Sequence, residues 1–260
     1  MTCMSDSDKF TKTANLLLEI ASLLMVSGAN TSRINRNISR FASALNFNVH
    51  SWIHQKTIIM TLTDEATQES ATKVYNLPPH AINFKTISEI SKASWKAMRE
   101  DWTIDEIATE IERIKGLDKY SNLVVLIAVS LAVAGFCNIF KGDYLNMTVA
   151  FMSAFLGLFV SQQVHKKHYN LYVRIFLASL TASVVASMGI VWDIGANPQT
   201  ALATSILFLI PGVPLINSFT DLLENNILNG LARFAVGSMI VLAIATGLFL
   251  AMYLFSIKLN

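Results

Sequence analysis

Charge is the first thing this sequence lacks. Only 15% of its 260 residues are Asp, Glu, Lys or Arg, against 53% hydrophobic, and the mean hydropathy is +0.46. A chain this apolar does not make an ordinary soluble domain. The formal net charge of +2 is too small to mark a nucleic-acid binder, so no nucleic-acid partner is expected. Cysteine is nearly absent. Cys3 in the polar start segment and Cys137 in an apolar run give neither a disulfide framework nor a thiolate metal site. Catalytic signatures are missing as well. There is no G-x-x-x-x-G-K-[ST] loop, which argues against ATP hydrolysis, and no G-x-S-x-G elbow, H-E-x-x-H pair or C-x-x-C. No enzyme is expected: no catalytic residues, no metal and no cofactor. The start MTCMSDSDKF places two acids before its first lysine and does not read as a cleavable signal peptide.

The charge that is present sits unevenly. Residues 1–119 hold 14 of the 20 Lys and Arg and 14 of the 18 Asp and Glu, so the other 141 residues hold only 10 charges. This reads as a polar domain, 1–119, followed by a membrane domain, 120–260. In the first, an apolar helix over Phe10–Val26 stops at Ser27-Gly28. Asn30 or Thr31 caps a second helix, with Ile34, Ile38, Phe41 and Leu45 on one face. Arg33, Arg36 and Arg40 lie off that stripe as a solvated face, with anionic lipid headgroups as the alternative contact. Residues 46–64, rich in β-branched and aromatic side chains, read as one or two strands, with a third at Thr72–Asn76 before Pro78-Pro79. His50 and His54 on such a strand stand about 13 Å apart, too far to share an ion. Helices are expected over 83–98 and 103–115. In the latter, Thr103 and Glu106 form a capping box, Ile104, Ile107, Ile111 and Ile114 form the buried stripe, and Gly116 follows. The domain is α+β or α/β and is expected in the cytosol.

The second half holds five apolar segments: Leu123–Phe140, Tyr144–Val160, Leu171–Trp192, Thr200–Phe219 and Leu231–Ile257. Each is near the ~20 residues that cross hydrocarbon. The fold class is therefore a polytopic α-helical membrane protein with five transmembrane helices after a cytosolic domain. Arg113, Lys115, Lys119, Lys166, Lys167, Arg174 and Arg233 fall on one side, against Lys141 and Lys258 on the other. That asymmetry places the N-terminus in the cytoplasm and the C-terminus outside. Ser179, Ser183 and Ser187, and Ala243, Gly247 and Ala251, form small-residue faces suited to close helix packing, with a polar pathway along the serines as the alternative.

The fourth segment interrupts its own helix. Pro211 and Pro214 lack N–H groups, so the carbonyls of Leu207 and Ile210 lose their helical donors. Ile210 and Val213, each preceding a proline, are pushed towards extended geometry, and Gly212 accepts nearly any backbone angle. A new half-helix is expected from Leu215 and Ile216. Freed carbonyls above the break can attract an ammonium group or a cation. N–H groups below it can hold a carboxylate. Leu207, Ile210, Pro211, Gly212, Val213, Pro214 and Asn217 are thus the candidate substrate-binding residues. Asn217, Asp221 and Glu224 follow at helical spacing and share one face. Asp221 is the candidate proton carrier, with Glu224 and Arg233 setting its protonation or forming the cytoplasmic mouth. The bland alternative is a proline kink with hydrated acids at the helix end.

The stretch LFLIPGVPLINSFTDLLENNILNGLARFAVG resembles the hallmark region of the threonine/serine exporter family. The agreement covers PG-x-P-L-I-N, the acid four residues after that Asn, and N-G-x-A-R leading into the last helix. GAN-T-S-R-I and S-W-I-H-Q-K-T-I-I-M-T resemble the family's N-terminal domain, so the likeness covers essentially the whole chain. Fused members carry a second membrane module. This chain is similar to the split form, in which a separate small membrane protein supplies the missing half. The resemblance implies an oligomeric inner-membrane exporter subunit in a bacterium, in contact with lipid. Its small-molecule substrate would be an amino acid such as threonine or serine, or a dicarboxylate such as succinate. The alternative class is a membrane-anchored sensor or scaffold with a ligand-binding cytosolic domain. An anchor needs no interrupted span with carboxylates beside it, whereas transport alone does not require so large a polar domain.

Overall fold

The computed structural model describes residues 6–78, 82–118 and 120–257. Cys3, Pro79, Lys119 and Lys258 lie outside the described residues. The chain forms two compact units. One comprises residues 1–118 with 213–234, the other 119–212 with 235–260. The segment 213–234, which the sequence reading assigns to the membrane half, groups by its contacts with residues 1–118. Its buried polar side chains find their partners in the N-terminal unit, as described below.

In the first unit, α1 (Asp6–Val26) and α2 (Thr31–Ala44) precede an antiparallel meander of β1 (Phe47–Ile53), β2 (Thr57–Asp64) and β3 (Ser70–Asn76). Then come α3 (Phe84–Arg99) and α4 (Ile104–Lys115). Alternation along β2 explains how the sheet seats: Ile58, Met60 and Leu62 are buried, while Ile59 on the other face is exposed. Helix α1 packs against β2 and α2, and its Leu17, Ile20, Ala21 and Leu24 have no exposed surface. The apolar stripe of α2 is buried at Ile34, Ile38, Phe41 and Leu45. Asn30 is its cap, accepting from the Arg33 N–H. Helix α4 opens with the expected capping box between Thr103 and Glu106 and buries Ile107, Ile111 and Ile114. Those backbone and hydroxyl donors of Thr103 hold the Glu106 carboxyl below the ordinary carboxylate range. His50 lies on β1 and His54 just beyond it, where its ring stacks on Trp52. No metal-ligating cluster occurs among the described residues.

The second unit contains α5 (Asn122–Ile139), α6 (Tyr144–Lys166), α7 (Leu171–Val191), α8 (Pro198–Ser205) and most of the last helix, α10 (Ile227–Leu254). Four helices, α5, α6, α7 and α10, are long and apolar enough to cross a membrane. A fifth span is present if the interrupted pair at 198–223 counts as one. Small residues set the packing. A Cβ on Gly157 of α6 would lie 2.9 Å from the Ala178 carbonyl of α7, and one on Gly247 of α10 would lie 2.8 Å from the Leu180 nitrogen. The hydroxyl of Ser179 donates to the Ile244 carbonyl at 2.8 Å. Asp143 caps α6, and the N–H groups of Asn146 and Ala196 hold its carboxyl below the ordinary range.

Candidate functional site

The interruption is real, but its backbone is more self-contained than sequence alone implies. Helix α8 ends at Ser205, a 3-10 turn covers Leu207–Leu209, and α9 runs from Gly212 to Leu223. The Leu207 carbonyl, deprived of the donor that Pro211 lacks, accepts from the Ile210 N–H at 3.2 Å. The Ile210 carbonyl accepts from the Gly212 N–H at 2.8 Å. Neither carbonyl is free, which corrects the expectation: tighter i→i+3 and i→i+2 turns replace the lost helical bonds. The new helix also begins at Gly212 rather than Leu215. Pro214 then falls in its first turn, where a missing N–H costs no intrahelical bond.

Of the candidate residues, Leu207, Ile210, Pro211 and Gly212 belong to the second unit. Val213, Pro214, Asn217, Asp221, Glu224 and Arg233 belong to the first. Within the first unit, side chains of 213–234 close on the turn between α1 and α2. That turn reverses at Gly28, whose φ of +93° suits glycine. Asn217 Nδ2 donates to the Gly28 carbonyl at 2.7 Å. Asp221 Oδ1 accepts the backbone N–H of Thr31 at 2.9 Å, which sets a carboxylate at the positive end of α2. Arg233 Nη2 donates to the Ala29 carbonyl at 2.9 Å and reaches Met25 Sδ at 3.3 Å. Its Nε lies 3.2 Å from Asp221 Oδ2.

Both charges are buried, Asp221 at 0% and Arg233 at 7% exposure. The Nε–Oδ2 contact is an ion pair by distance, yet Oδ2 has no aligned hydrogen bond. The guanidinium thus neutralises the carboxylate by proximity while spending its directed donor on Ala29. Such a pair contributes little net stability as a whole, but removing one partner leaves a buried charge at a cost of about 3–5 kcal/mol. Glu224 does not join the cluster. Helix α9 ends at Leu223 and Asn225 turns left-handed with φ of 65°, so Glu224 lies past the shared face and is exposed.

Sequence reasoning missed the partners of these residues. Asn229 Nδ2 donates to Thr31 Oγ1 at 3.0 Å and to the Ile53 carbonyl at 2.7 Å. Asn226 Nδ2 reaches Ser32 Oγ at 3.2 Å. Ser218 Oγ donates to the Gly230 carbonyl at 2.8 Å, joining α9 to α10. A Cβ on Gly230 would come 2.6 Å from Leu222 Cγ. The one available signal was the pair of motifs itself, GAN-T-S-R and N-G-x-A-R, which meet here across the length of the chain.

An interrupted apolar helix followed by a buried carboxylate–arginine pair is an arrangement suited to a membrane transporter, and comparison with known proteins agrees. Residues 15–255 match the family model ThrE, described as "Putative threonine/serine exporter", and the chain belongs to that family of exporters, which are not enzymes. It is similar to the "Probable succinate transporter subunit YjjP" of Klebsiella aerogenes, 23% identical over 256 residues and 98% of both chains. The protein of the same name in Escherichia coli is 24% identical over 245 residues, 94% of each chain. The "Threonine/serine exporter" of Corynebacterium glutamicum is 22% identical over 239 residues, 89% of this chain but 49% of that protein. No solved structure matches the chain.

Proposed function

We propose that this chain is one subunit of a proton-coupled secondary exporter for small polar metabolites, acting in the bacterial inner membrane with a second small membrane protein. Residues 1–119 lie in the cytoplasm and the C-terminus lies outside. The extent of the similarities supports the partner. They span 98% and 94% of the two proteins named as succinate transporter subunits, but 49% of the threonine/serine exporter. The chain therefore corresponds to about half of the longer protein. The same comparison favours a dicarboxylate such as succinate over threonine or serine.

The observation that carries this reading is the interrupted helix with a buried Asp221–Arg233 pair immediately after it. A mere anchor requires neither. The solute binds along the interruption, at Leu207, Ile210, Pro211, Gly212, Val213 and Pro214, with Asn217 one turn on. The carbonyls of Leu207 and Ile210 each keep one lone pair beyond their local bonds. The first turn of α9 offers N–H groups and a positive dipole end to a carboxylate. Asp221 is the proton carrier. Protonation neutralises half of the buried pair, weakens the hold on Arg233 and loosens the grip on the Thr31 N–H. Glu224, exposed beyond α9, belongs to the cytoplasmic mouth. Efflux of labelled succinate from vesicles containing both subunits tests the reading. Export should collapse when the proton gradient is dissipated, and gradient-independent export would refute the coupling.

A further inference from the structure

The first unit contains a cavity that the transport reading does not use. Thr31 and Asn35 of α2, Ser51, Trp52 and Ile53 of β1, and the turn between α9 and α10 enclose about 360 Å³. That lies within the roughly 300–1,000 Å³ of small-molecule sites. No acidic or basic side chain is among its lining residues. Besides the hydroxyls of Thr31 and Ser51, its polar groups are side-chain amides with capacity to spare. Asn35 Oδ1 accepts the Ser51 hydroxyl at 2.8 Å, leaving its Nδ2 as a donor. Asn229 commits Nδ2 to Thr31 and Ile53, leaving Oδ1 as an acceptor. Asn226 commits Nδ2 to Ser32 and the Glu224 carbonyl, and its Oδ1 is likewise left. Beside these stands Trp52, 61% exposed, its indole already stacked on His54 with centroids 5.6 Å apart and planes at 20°.

Amides that present a donor and acceptors pair with the mixed edges of a heterocycle, as Asn does with adenine. An exposed indole adds a flat stacking surface. A carboxylate would find no cation here, so the lining does not suit the proposed transported solute. We propose that this cavity is an effector site for an uncharged, planar, hydrogen-bonding ring of the nucleobase or nucleoside class. Its third wall, the α9–α10 turn, joins Asp221 to Arg233. A ligand that bridges this turn to α2 and β1 holds the two charged residues in their paired arrangement, so binding in the N-terminal unit restrains the element that the coupling reading requires to move.

The test uses the full-length chain in lipid nanodiscs, with calorimetric titration of adenosine, sorbitol and succinate. Adenosine should bind saturably and raise the melting temperature. Trp52→Ala and Asn35→Ala should each weaken binding by about tenfold or more, whereas Trp52→Phe, which keeps a stacking ring, should retain most of it. Neither side chain is fully buried, and the melting curve of each unliganded variant verifies its fold. Saturable binding of sorbitol without adenosine would overturn the ligand class. Competition by succinate would overturn the separation from the transported solute. Absence of saturable adenosine binding, or undiminished affinity in both the Trp52→Ala and Asn35→Ala variants, would overturn the site. Every one of these readings is independent of export activity.

Discussion

Arg233 and Asp221 sit with Nε and Oδ2 3.2 Å apart, both buried, one on each side of the turn that links α9 to α10. Their remaining bonds go to Met25, Ala29 and Thr31. The pair is therefore a clasp on the α1–α2 turn rather than a free carboxylate at an aqueous mouth. Thr31 and Asp221 are separated by 190 positions in the chain, so the clasp ties together what the chain order keeps apart.

The first prediction concerns the energetics of that clasp. Asp221→Leu or Arg233→Met alone leaves an unpaired buried charge, and each should lower stability by about 3–5 kcal/mol. The double variant should be clearly more stable than the sum of the two losses implies, with a coupling of roughly 1–3 kcal/mol. Denaturation of the four proteins in one detergent measures the cycle. Additive losses would mean that the ion pair is not a thermodynamic unit.

Much of the fold was legible because its determinants are local. The capping box at Thr103 and Glu106, the stripe of α2 and the apolar runs each declare themselves within a few turns of chain. The clasp was not legible from periodicity. Asp221 follows Asn217 on a helix face, but nothing within ten residues shows that this face meets Gly28 and Thr31. The turns at Leu207 and Ile210 were missed for a different reason. Removing a helical donor identifies the carbonyl it leaves, but not the nearer N–H that replaces it. Spacing alone groups Glu224 with Asp221, and the helix ends one residue too early for that spacing to hold.

Acid should loosen the N-terminal unit in a definable direction. A hydrogen bond from Arg113 holds the Glu110 carboxyl below the ordinary carboxylate range, and bonds from Lys92 and then Arg113 do the same for Glu89. A depressed folded value means these contacts stabilise above the unfolded carboxylate value and are lost as pH falls through the folded one. Melting temperature should therefore fall on acidification below the ordinary carboxylate range, and Arg113→Ala should flatten part of that fall. Because the pairs are partly exposed to solvent, the effect should also shrink in high salt. An Arg113→Ala profile identical to wild type would discount the network.

Topology is checked by reporters fused after Asn260. With five spans and a cytoplasmic N-terminus, only a reporter that functions outside the cytoplasm should be active. Cytoplasmic reporter activity there would require an even span count and would exclude the interrupted helix as a crossing.

Partnership is checked by affinity purification from native membranes. The chain should co-purify with a small polytopic membrane protein, and export should need both. Full export by this chain alone in reconstituted vesicles would remove the second subunit from the account.

The most direct measurement is succinate efflux from vesicles containing both subunits, with Pro211 and Pro214 replaced together by Ala. Restoring the two backbone donors allows the Leu207 and Ile210 carbonyls to return to helical bonding, so the segment should become continuous. The account predicts a variant that inserts normally and exports nothing. Efflux at the wild-type rate would show that the interruption is only a kink and that the solute binds elsewhere.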